Sequence, residues 1–291
     1  MLLKSRQPLR TLYPTVAMAQ YNETYQALLW EAEFTGEMLG SGATQIRSPN
    51  YSTKGIYFQA FTSLATGLER IGKLCLMLDY YIEHDGNFPD TNSMKYEIGH
   101  KLVLLYERSE AIVTKRSISM RFEKDLSNPF HQSILRVLSG FAEGDRYSNI
   151  NLLVGSRQRS DPIASWSRQV DEPIYKTRVN RRKEEKIRCN AKAVAAMMSP
   201  STVLQTSETS TEIRSSEEAS HRTGTWKAVA PYRQLYVLQV IRYWVELLVS
   251  LQAPAMQLGK SEIPFFDEVF AQFRYADSLF RRRKTWHNQP K

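Results

Sequence analysis

The chain predicts an all-α helical bundle. Apolar residues recur at spacings of three and four along several long stretches, the period of one helical face. No alternating period-two run of any length appears, and no internal repeat. The 291 residues are 42% hydrophobic and 24% charged, ordinary values for a chain that buries a sizeable core.

Taken in order, residues 21–39 read as a first helix closed by the permissive Gly40-Ser41-Gly42. A polar stretch with Pro49 leads to a second helix at about 55–84, where Phe61, Leu64, Ala65, Leu68, Ile71, Cys75, Leu78 and Ile82 share a face. Asp85-Gly86-Asn87 and Pro89 stop it. Third and fourth helices follow at about 99–112 and 129–142, the latter using Ile134, Leu135, Leu138 and Phe141. Arg146-Tyr147 reads as a polar turn before Leu152-Leu153-Val154, and Asp161 opens a short helix to Trp166. A basic run then continues into a helix over 191–198. Residues 199–225 are rich in Ser, Thr and Glu and nearly free of apolar side chains, which predicts a mobile loop. Pro231 to Ala253 is apolar almost all round, hence a central helix. Pro264 to Arg283, carrying Phe265, Phe266, Phe270, Phe273, Tyr275 and Phe280, reads as the last helix. The organisation expected is one domain over 1–291, with a basic, partly mobile insertion at about 156–228.

Formal charge is +9, but it is concentrated. Residues 174–188 carry a net +5 from Lys176, Arg178, Arg181, Arg182, Lys183, Lys186 and Arg188 against Glu184 and Glu185. The tail from Arg274 carries another +5, mostly from Arg281, Arg282, Arg283 and Lys284, so the remainder is near neutral. Two such patches favour an anionic partner, nucleic acid before membrane. The candidate nucleic-acid contacts are Arg178, Arg181, Arg182, Lys183, Lys186, Arg281, Arg282 and Arg283.

Cys75 sits within an apolar helix and Cys189 stands alone, which gives neither a disulfide framework nor a zinc spacing and suits a reducing, cytoplasmic compartment. Met1 to Arg10 lacks the apolar core of a secretory signal. The longest apolar stretch, Tyr236 to Ala253, is interrupted by Gln239, Arg242, Glu246 and Gln252, so no membrane span is expected. No phosphate-binding glycine loop, nucleophile elbow or metal-ligand pattern is present; His84-Asp85, before Gly86, reads as a helix terminus. Cofactor and metal are both expected to be none.

Charges set into apolar helices are the remaining candidates. Glu69 and Lys73 lie one turn apart, either as a polar floor for a phosphate or as a helix-tying pair, the second being favoured. His100 either binds a nucleotide or caps the start of the third helix, the second being favoured. Arg146 is expected to meet Glu69 or a phosphate. Arg242 and Glu246, again one turn apart, are expected to be satisfied internally. Together these six residues read as a polar core, with Glu69 within reach of Lys73, Arg146 or Arg242.

The elements Gly67-Leu68-Glu69-Arg70-Ile71-Gly72-Lys73, then Gly99-His100-Lys101-Leu102, then Arg146-Tyr147, occurring in that order, resemble a bacterial branch of the HEPN superfamily. The resemblance covers about residues 20–155 and extends plausibly to 231–253. It implies a helical bundle acting as an RNA- or nucleotide-binding module of a defence, toxin–antitoxin or stress system. The partners it implies are RNA or a nucleotide, a second copy of the chain, and a cognate protein of the same system. Ribonucleases of the superfamily carry Arg-x(4–6)-His. Here that spacing occurs as Arg214 with His221 and as Arg281 or Arg282 with His287, in the Ser/Glu-rich stretch and the tail instead of at the start of a core helix. Catalysis therefore stays open. The alternative is a non-catalytic helical scaffold or dimerisation protein whose charged pairs are purely structural.

Overall fold

A computed structural model describes residues 22–90, 92, 99–157, 160–198 and 205–286. Over these residues the chain is an all-α helical bundle with one two-residue-per-strand hairpin. Helix α1 (Glu23–Gln45) starts at Asn22, whose side chain accepts from the Tyr25 N–H at 2.7 Å. Contrary to expectation it does not stop at Gly40-Ser41-Gly42. A Cβ at Gly40 would lie 2.0 Å from the Trp286 carbonyl oxygen, and one at Gly42 would lie 2.6 Å from Leu64. These glycines serve close approach inside a helix, not its termination.

Helix α2 (Lys54–Glu83) packs along α1 and buries the predicted stripe, including Phe61, Leu64, Leu68, Ile71 and Cys75. Gly67 lets Leu39 of α1 settle onto it. Helices α3 (Leu102–Lys115) and α4 (Pro129–Glu143) cover α2 from other sides. Phe61 joins them to the next segment through Phe141 (ring centres 5.5 Å apart) and Trp166 (5.0 Å). After α4 come a 3-10 turn at Asp145–Tyr147, α5 (Ser148–Leu153) and α6 (Pro162–Trp166), the last capped by Asp161. A π-helical turn, Ser167–Asp171, passes into α7 (Glu172–Arg178).

The basic run is divided. Asn180 accepts from the Lys183 N–H and starts a separate helix, α8 (Arg181–Met197), which buries only Ile187 and Ala191. The predicted loop at 199–225 is corrected over its described part. Strands β1 (Gln205–Thr206) and β2 (Glu212–Ile213) pair, and Ser207 and Ile213 are fully buried. Helix α9 (Ser216–Met256) then begins fifteen residues before Pro231, capped by Ser215, which accepts from the Glu218 N–H. Pro231 lies inside α9, where its missing N–H would ordinarily cost about 3 kcal/mol. Packing on both sides offsets this. The upstream turns dock on α8, with Gly224 against Ile187, and the downstream turns are buried nearly all round from Arg233 to Leu248.

The expected last helix is broken into α10 (Phe266–Val269), a 3-10 turn at Ala271–Phe273, and α11 (Asp277–Arg282). Phe266, Phe270, Phe273 and Phe280 keep the spacing of one helical face, and all four are buried across the break. Trp286 packs edge-on against Phe280. No described helix is long and apolar enough to cross a membrane.

Candidate functional site

Helices α1, α2 and α4 leave a cleft of about 730 Å³ between them. Thr24, Leu28 and Glu31 line it from one stripe of α1, and Thr62, Thr66, Glu69, Lys73 and Met77 from one face of α2. Phe88, His100, Phe141 and Arg146 complete the wall. Four of the six residues read as a polar core, Glu69, Lys73, His100 and Arg146, thus meet at one cavity.

Glu69 is its hinge. One carboxylate oxygen accepts from Lys73 Nζ at 2.7 Å and the other from His100 Nδ1 at 2.8 Å. His100 therefore does not cap α3. The Leu102 N–H goes to the Ser139 hydroxyl at 3.1 Å, and the imidazole turns to Glu69. A carboxylate only accepts, so Nδ1 carries the proton and Nε2 is left as a site for proton transfer or ligand contact. Arg70, which the sequence reading passed over, donates to Glu31 at 2.7 Å and covers the Phe34 ring.

Arg146 meets Glu69 in no ion pair. Its guanidinium lies 5.1 Å from the ring centre of its neighbour Tyr147 and has no acidic partner among the described residues. Among the described residues it is the cation of this cleft still available to a ligand. The rest of the lining is largely apolar: Leu28, Ala65, Leu74, Met77, Phe88 and Phe141.

Arg242 and Glu246 do not belong to this site, nor do they pair with one another. Arg242, 1% exposed, is gripped by Glu123, by Asp277 at 2.7 Å and by the Tyr275 carbonyl, between the rings of Phe122 and Phe280. Burial pushes the Glu123 carboxyl up, against the pull of Arg242. Glu246 accepts from the Phe122 N–H at 3.3 Å. The expected single polar core is therefore two separate arrangements, because Arg242 and Glu246 lie on α9, which contributes no residue to the lining of the α1–α2–α4 cleft.

A second cavity of about 430 Å³ lies between the π-helical turn, the hairpin and the first turns of α9, and sequence reading missed it. There Arg233 Nε sits 3.0 Å from Asp171, off the hydrogen-bond direction, while Nη1 donates to the carbonyls of Ile46 and Pro49. Asp171 also accepts from Trp166 Nε1 at 3.1 Å, and burial raises its carboxyl to about 6. The only prior signal was an arginine in an apolar helix; the π turn that delivers Asp171 has no pattern of its own.

The proposed nucleic-acid contacts divide as well. Arg178 is exposed but tied down, donating to Tyr236 Oη at 2.6 Å. Arg181 makes a fully solvated pair with Glu185, whereas Arg182, Lys183 and Lys186 stand on the exposed face of α8 without protein partners among the described residues. In the tail, the Arg281 guanidinium covers Tyr232, Arg282 Nε bonds the Ser278 carbonyl and Arg283 covers Trp286. Of the Arg-x-His pairs, Arg214 is tied to Glu212 while His221 lines the second cavity; His287 lies outside the described residues. Among the described residues no three His, Cys, Asp or Glu side chains gather as metal ligands, and His84 simply ends α2 with its ring stacked on Tyr80.

Comparison of the chain with family models, curated proteins and solved structures gave no match.

Proposed function

We propose that the cleft between α1, α2 and α4 binds a nucleotide-sized ligand with one anionic group, of the nucleoside monophosphate class, in a HEPN-like nucleotide-binding module. The observation that carries this is the unpaired Arg146 at the rim of a mostly apolar cavity of ligand size. Phe88 and Met77, both partly exposed, offer apolar contact to a base, and a guanidinium forks onto a phosphate. Glu31 and Glu69 also line the cavity, and Arg70 and Lys73 are already paired to them. That balance suits one anionic group and disfavours a polyphosphate, which would need more unpaired cations. The HEPN-like resemblance over residues 20–155 spans every wall, and it alone suggests the defence or stress setting.

Titration calorimetry with adenosine and uridine monophosphates and with adenosine triphosphate tests the reading. Saturable monophosphate binding, not tightened in the triphosphate and lost in Arg146→Ala, is expected. No binding by any of the three would favour an interaction module instead, for which the exposed apolar run Ile150, Leu152, Leu153 and Val154 on and after α5 supplies a surface.

A second reading, RNA contact, is favoured by the exposed face of α8. Binding there should fall steeply with salt and weaken for every RNA sequence when Arg182, Lys183 and Lys186 are reversed to Glu.

A further inference from the structure

The third cavity is a recess of about 370 Å³ built from three distant parts of the chain. The turn after α1 gives Arg47 and Ser48, the middle of α9 gives Lys227 and Pro231, and the segment after α11 gives Lys284 and Thr285. Its lining holds three cations and, among the described residues, no carboxylate. The two cavities described above contain acidic residues, so this one is chemically distinct from them.

The recess is rigidly framed. Gln234, fully buried, donates from Nε2 to the carbonyls of Ala43 (2.8 Å) and Lys284 (3.0 Å) and accepts from Arg47 Nη1 at 2.6 Å. One amide thus ties the α1 end, α9 and the C-terminal segment together. Arg47 Nη1 also donates to the Arg281 carbonyl at 3.0 Å, and Thr44 Oγ1 accepts from the Trp286 N–H at 2.8 Å. The missing Cβ of Gly40 admits the Trp286 carbonyl against α1. The segment bearing Lys284 is therefore held in place before any ligand arrives.

Its charges are uncompensated. Lys227 has Thr223, Gly224, Ala230 and Pro231 one turn away on α9, so no helical neighbour can neutralise it. Neither Lys227 nor Lys284 has a protein partner among the described residues, and Arg47 bonds only neutral oxygens. The negative end of α1 is answered separately, by Arg233 on the Ile46 carbonyl and by Gln234 on that of Ala43. Partial burial lowers the affinity of Arg47 for its proton, which an anion in the recess would reverse. Ser48 and Thr285 add hydroxyl donors at the rim.

We infer that the recess formed by Arg47, Lys227 and Lys284 is a phosphate site, taking the dianionic phosphate of free inorganic phosphate or of a phosphomonoester. Three cations on three segments can reach different oxygens of one tetrahedral group, as fork and point charges do on phosphates elsewhere. The ligand is separate from that of the α1–α2–α4 cleft, and the two sites share no lining residue.

The test is titration of the full chain with sodium phosphate and with ribose 5-phosphate, each against sodium chloride at equal ionic strength. Saturable phosphate binding is expected, weakened about tenfold or more in Lys227→Gln/Lys284→Gln and unchanged in Arg146→Ala. Both lysines are exposed, so the double variant should melt at the wild-type temperature. Tighter binding of ribose 5-phosphate assigns an ester as the source and equal affinity assigns the free ion; both support the site. Phosphate acting no differently from chloride, wild-type affinity in the double variant, or loss of binding in Arg146→Ala would each overturn it.

Discussion

Arg242 and Arg146 carry the same guanidinium and meet opposite fates. Arg242 lies in the middle of the most apolar helix and reaches two carboxylates, a carbonyl and two aromatic faces. Arg146 stands exposed at a cleft, its neighbour's ring beside it and no acidic partner among the described residues. A buried ion pair is removed at high cost, because one charge is left behind without water. An exposed guanidinium with no acidic partner contributes little to the fold and keeps its hydrogen bonds for a ligand. A charge in an apolar stretch is therefore not a functional mark in itself; what distinguishes the two arginines is whether the protein has already satisfied them.

The most severe break should come from Arg242→Ala, which strands Glu123 in the interior and is expected to cost about 3–5 kcal/mol in urea unfolding. Lys at this position should rescue only part, lacking the fork that serves both carboxylates. Gly40→Ala comes next, at about 1–3 kcal/mol, since its Cβ would have to displace the Trp286 carbonyl. Accelerated proteolysis of the C-terminal segment would report that displacement. Glu69→Ala should be milder, about 1 kcal/mol, because Lys73 and His100 can turn to water once released.

The smallest effect concerns pH and involves a histidine at Arg242's end of the molecule. His131 donates from Nε2 to Gln239 at 2.8 Å, and Gln239 donates to Asp277, which holds Arg242. Burial holds the imidazole below its usual range. The unfolded chain therefore takes up the proton more readily than the folded one. The stability His131 contributes is present above about pH 6.5 and is lost as pH falls below it. Urea midpoints at pH 5 and pH 7.5 should differ less in His131→Gln than in the wild type; an equal difference would remove His131 from the account.

Much of the fold was legible from period alone. Helices α2 and α4 keep nearly their expected bounds because each buries one regular stripe and has a clear terminus, Asp85-Gly86 for the first and Asn128-Pro129 for the second. The errors arose where a local signal was overruled by packing. Gly40 and Gly42 looked like a helix end and are contact points. Pro231 looked like a helix start, while the Ser215-x-x-Glu218 cap that opens α9 lay in polar sequence with no stripe to mark it. For the candidate site, Glu69, Lys73, His100 and Arg146 stood out as charges beside apolar helices, but their partners were set by how three helices meet. Arg47 and Lys227 gave no signal and Lys284 only its share of the basic tail; only the folded chain brings the three together.

The central claim, that Arg146 binds a ligand and does not hold the fold, is tested most directly by one melting experiment. Wild type and Arg146→Ala are melted with and without saturating adenosine monophosphate. Without nucleotide the two should unfold within the few degrees expected of a surface substitution. With nucleotide the wild type should rise by several degrees and the variant should not move, since only a ligand bound to the native state shifts the midpoint. A variant that melts far below wild type without nucleotide, or one that gains the same nucleotide shift, would contradict the account.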